Sequence, residues 1–83
     1  MKENEVKQTI SKVVENAVFD GLTREQLDEK LRFYLGRPVS ECEDNDWEKI
    51  TTIDETCDKT NFVVSVFKSC MDGFTVYSYE IED

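Results

Sequence analysis

The sequence predicts an α+β fold: a two-helix hairpin packed on a three-stranded antiparallel sheet, in the order α-α-β-β-β. Three observations predict it. Apolar residues recur at helical spacing only before residue 36, and alternating β-branched and aromatic runs occur only after residue 46. An Asp-Gly pair, Asp72-Gly73, separates the last two of those runs, and this is among the strongest short-range hairpin signals. The 83 residues are read as one small domain, 1–83. A chain of that length buries about 60–65% of its unfolded surface, enough for one modest core and no deep second pocket.

The first helix is predicted over 3–18. Val6, Ile10, Val13, Val14, Ala17 and Val18 fall at helical spacing, with Lys7, Lys12 and Glu15 on the other face. "FDGL" then breaks it, Gly21 being suited to a left-handed exit. A second helix starts at Thr23, where Gln26 completes a capping-box pattern and Leu22 with Leu27 has the spacing of a hydrophobic staple. Leu27, Leu31, Tyr34 and Leu35 form its apolar stripe. Arg24–Asp28 and Asp28–Arg32 are charge pairs four apart, the second in the better orientation. Gly36 and Pro38 stop this helix, and the two helices are expected to pack antiparallel.

Residues 37–46 read as a loop and 47–53, "WEKITTI", as a first strand. "NFVVSVFKSC" and "FTVYSYEI" follow as the hairpin strands. A two-residue Asp72-Gly73 loop would oppose Val64 to Ile81 and Val66 to Tyr79; a slip to a Met71-Asp72 loop would oppose Val64 to Tyr79. Both registers place Phe62, Val64, Val66, Tyr77, Tyr79 and Ile81 on one face, which should meet the helices. The other face carries Val63, Ser65, Phe67, Ser69, Phe74, Val76, Ser78 and Glu80. It is half polar, yet too apolar for an ordinary wet face, so Phe67 and Val76 become candidate interface residues.

Charge is the strongest functional signal. The net charge is −9, and it is confined to the second half: residues 1–40 balance seven acids with seven bases, whereas 41–83 hold twelve acids and three bases. Charge concentrated in this way makes a directional field. Direct binding of nucleic acid is disfavoured, because phosphate contacts need bases. A protein partner with a basic, Lys/Arg-rich surface is favoured. The densest run is "ECEDNDWE" (41–48), which holds Glu41, Glu43, Asp44, Asp46 and Glu48 around Trp47, with Asp54 and Glu55 a little further on. One reading of the run is a solvated loop. The other is a docking surface, with tryptophan as an anchor; Trp47 could equally close the end of the helix–sheet core.

Other chemistries fare worse. "DNDWEKITTIDE" (44–55) superficially matches a calcium loop, but Lys49 stands where the sharp turn needs glycine, and the residues after it are β-forming. Histidine is absent, which removes the commonest general base and metal ligand. Cys42, Cys57 and Cys70 form no Cys-x-x-Cys pair and are expected to be reduced, structural or incidental thiols. No glycine-rich phosphate loop or nucleophile–base set is present, so no catalytic residue, metal or cofactor is assigned and the chain is not expected to be an enzyme. "MKENEVKQTI" has no h-region and no apolar run could span a bilayer, so a cytoplasmic location without membrane contact is expected.

The leading expectation is a small acidic inhibitor or modulator that docks on a basic, nucleic-acid-binding groove of another protein, such as a nuclease. Phage anti-CRISPR and anti-restriction proteins act in that manner. Two alternatives stand beside it: an immunity or antitoxin-type protein neutralising a basic nuclease toxin, and a self-associating structural or assembly protein, a homodimer through the Phe67/Phe74/Val76 face.

Overall fold

The computed structural model describes residues 2–42 and 46–82. Two helices, α1 (Glu3–Phe19) and α2 (Arg24–Leu35), precede a short 3-10 turn (Val39–Glu41) and three strands, β1 (Glu48–Cys57), β2 (Thr60–Met71) and β3 (Phe74–Glu82). The strands form one antiparallel sheet in the order β1-β2-β3. This is the α+β architecture the sequence predicts.

Local chemistry accounts for the ends of the elements. α1 closes in a Schellman motif: Leu22 N donates to Ala17 O at 2.9 Å and Gly21 N to Val18 O at 3.2 Å, with Gly21 at φ +68°. At the start of α2 the Thr23 side chain accepts from Gln26 N, and Gln26 Oε1 accepts from Thr23 N, so the capping box is complete. Asp72 and Gly73 have φ of 51° and 82°. Positive φ at both central residues is the type I′ geometry that matches strand twist. That two-residue loop sets Val64 against Ile81 and Val66 against Tyr79, the first of the two registers above.

One face of the sheet packs on the helices. Val6, Ile10, Val14, Ala17 and Val18 of α1 and Leu27 and Leu31 of α2 join Ile53, Phe62, Val64, Val66, Tyr79 and Ile81 in a single buried cluster. β1 is longer than "WEKITTI" suggests, running from Glu48 to Cys57 and turning through Asp58-Lys59 into β2. Its acidic second half lacks local strand signals and is held by pairing, with Asp54 against Val63 and Glu55 against Phe62. A bulge between Lys49 and Thr51 sends the extra residue, Ile50, onto the core cluster.

The chain reaches β1 from α2 along the opposite face of the sheet. Ser78 Oγ donates to Arg37 O at 2.6 Å and Ser40 N donates to Glu80 Oε2 at 3.2 Å. Pro38 is buried there. This cover accounts for Ser78; Ser65, Ser69 and Ser78 are all buried, and the Ser65 and Ser78 hydroxyls find acceptors in Glu82 Oε1 and Arg37 O.

A candidate acidic protein-binding surface

Period-two alternation decides where each carboxylate of the sheet points. Asp54 pairs with Val63, and Val63 with Glu82; Thr52 pairs with Ser65, and Ser65 with Glu80. Asp54, Glu80 and Glu82 therefore share the face turned away from the helices. Adjacent strands lie about 4.8 Å apart and alternate residues about 7 Å apart along a strand, so Glu82 lies roughly 7–10 Å from Glu80 and Asp54, and Asp54 and Glu80 are roughly 12 Å apart. Lys49 is the base among them. Its ammonium lies 5.9 Å from the centroid of the Phe67 ring and 3.9 Å from Glu82 Oε1. With Phe67 half-buried beneath Lys49, Val76 half-buried and Phe74 exposed, apolar surface borders the acids on the same face.

The other predicted carboxylates do not gather there. Glu41, on the 3-10 turn beside β3, pairs with Arg32, which also bonds Asp28 at 2.7 Å. Glu48 stands 3.7 Å from Lys68 Nζ on the helix side of the sheet, and Glu3 Oε1 lies 3.1 Å from the same ammonium. Hydrogen bonding to Lys68 holds the Glu3 carboxyl below its ordinary range, and Glu3 in turn raises Lys68. Exposed Asp46 lines the hollow around this cluster, together with Cys70, Thr75 and Tyr77. Glu55 pairs with Phe62 and faces α1 across a groove that also holds Lys7 and Lys12. Glu43 and Asp44 lie outside the described residues.

Trp47 is half-buried and is not among the side chains packed on the core. Its Nε1 is buried with no hydrogen-bond acceptor among the described residues. From Glu48 to Glu55 the calcium-like segment is extended strand, so these carboxylates cannot curl around one ion; no group of three metal-ligating side chains occurs among the described residues. The three cysteines are free thiols, Cys70 exposed and Cys42 and Cys57 half-buried. No described helix is long and apolar enough to cross a membrane.

Glu80 and Glu82 belong to this surface, although neither lies in the dense acidic run. The signal that could have found them is the hairpin register: it places Glu80 beside Ser65 and Glu82 beside Val63, one strand away from Asp54. In comparisons with known proteins, no family model, curated protein or solved structure gives a significant match to this chain.

Proposed function

We propose that this protein is a small protein-binding inhibitor or modulator whose acidic sheet face docks on a basic, nucleic-acid-binding surface of its target. The observation that carries this reading is the convergence of Asp54, Glu80 and Glu82 from two edge strands onto one face, beside half-buried Phe67 and Val76. Carboxylates about 7–12 Å apart on a stiff sheet can take the place of phosphates against Lys and Arg side chains and release the same counterions. The adjoining rings supply the apolar contact that charge alone lacks. An anti-CRISPR or anti-restriction role would use this surface in the same way.

The test is competitive capture. The immobilised protein should retain a basic protein from a bacterial lysate at low salt, and added duplex DNA or structured RNA should release it. The variant Asp54→Asn/Glu80→Gln/Glu82→Gln should retain much less, because it loses the three charges of the face while keeping the acceptors that Ser40 and Ser65 use. Equal capture by both proteins, or capture indifferent to nucleic acid, would refute the reading.

A further inference from the structure

A second surface lies on the far side of the molecule from the acidic face. Phe33 is 83% exposed, Phe19 79% and Tyr34 46%. Phe33 and Tyr34 meet edge to face, with centroids 5.3 Å apart. Two adjoining hollows, of about 400 and 710 Å³, share Leu22, Lys30 and Phe33 in their walls, and Val13 and Ala17 of α1 complete the first. α2 is thus apolar on two sides. Leu27 and Leu31 face the core, whereas Phe33 points almost directly away from it, as Phe19 does on α1. Exposed rings on a helix do nothing for the stability of a monomer, and an apolar patch of this kind marks an interaction surface.

The geometry points to a second copy of this chain as the occupant, bound across a twofold axis through the Phe33/Tyr34 face. Charge favours that partner. The sheet half of each copy carries the whole net charge of −9, while residues 1–40 balance seven acids with seven bases. Two copies can therefore approach helix to helix without the repulsion that a sheet-to-sheet approach would meet. The rim carries both signs, Asp20 and Glu29 against Lys30, so a twofold can set the lysine of one copy near a carboxylate of the other. Neither a nucleic acid nor an anionic membrane finds an excess of bases here.

The area is also of the right order. At about 200 Å² per aromatic side chain, the exposed parts of Phe33 and Tyr34 supply roughly 250 Å² per copy. Leu22, Gln26, Glu29 and Lys30 bring this towards the roughly 600 Å² per partner at the low end of specific interfaces, the range of weak, transient association. The pairing is independent of the acidic-face reading and leaves both acidic faces open.

Sedimentation equilibrium of the full chain from about 5 to 500 µM tests this, a range that spans weak association through a small interface. The mass should rise from 9.7 kDa towards twice that value. Phe33→Glu should weaken the association about tenfold or more while leaving the melting temperature of the dilute, monomeric protein unchanged, and Phe33→Ser should act in the same direction. Phe74→Glu, on the exposed end of the sheet, should leave the dimer intact. A monomer at every concentration, a dimer lost with Phe74→Glu but not with Phe33→Glu, or binding to anionic lipid vesicles abolished by Phe33→Glu with no self-association would each overturn the inference.

Discussion

Tyr79 shows how one buried polar group is reconciled with a small core. Its ring is fully buried in the sheet–helix cluster, and its hydroxyl reaches Asp28 Oδ1 at 2.5 Å on α2. Burial, reinforced by the neighbouring carboxylate, raises the Tyr79 hydroxyl above its ordinary 10.0. Partial burial pushes Asp28 up, but hydrogen bonds from Tyr79 and Arg32 outweigh it, and the carboxyl sits below its ordinary 3.8. The sign follows for each group. Asp28 contributes stability that is fully present above pH 3.8 and is lost as pH falls through its lower folded value; Tyr79 contributes stability present below pH 10.0 and lost at higher pH. Tyr79→Phe should cost about 1–2 kcal/mol at neutral pH, and Asp28→Asn should flatten the acid limb, both read from thermal melts between pH 2 and 11. An acid limb unchanged in Asp28→Asn would show that this contact carries none of it. That Tyr79 belongs to the core is legible from its alternation with Tyr77 and Ile81. Its partner is not, because nothing local links residue 79 to residue 28.

Elements were legible where their chemistry is local. The capping box at Thr23, the exit at Gly21 and the turn at Asp72-Gly73 each lie within four residues and each appears as read. Where pairing over a distance decides, the sequence is mute. The acidic half of β1 is a strand because β2 supplies its partners, and the segment at 37–42 lies on the sheet because Ser78 and Glu80 anchor it. This segment also explains Ser78 on the half-polar face, which composition alone leaves ambiguous between solvent and cover. Ser78→Ala should cost about 1 kcal/mol by leaving the Arg37 carbonyl short of its donor. Phe67→Ser should cost a similar amount, about 1 kcal/mol, because the ring is only half-buried, while partner binding falls. Urea unfolding of both variants separates the outcomes: global unfolding of Phe67→Ser would make that ring core and remove it from the binding surface.

At the scale of the whole molecule, the acidic charge of the sheet and the exposed Phe33 and Tyr34 rings lie on different faces. The long axis is 42 Å, matching the roughly 40 Å span of a strand of β2's length. That span gives the acids a stiff platform. The self-repulsion of a −9 chain opposes compaction, so salt should raise the melting temperature even though it weakens the surface ion pairs; a melting temperature that falls with salt would mean that those pairs dominate. The dense run 41–48 identified the acidic half but not its geometry. Glu41 and Glu48 pair with Arg32 and Lys68 away from the face, and Glu80 and Glu82, from outside the run, complete the face with Asp54, Glu82 beside Lys49. On the proposed function, this face binds through its collective field. This is tested by the binding kinetics of a captured basic partner at two ionic strengths, comparing the native protein with Asp54→Asn/Glu80→Gln/Glu82→Gln. The predicted result is slower association by the variant and a flatter salt dependence, with dissociation changed less; an unchanged association rate and salt slope would contradict it.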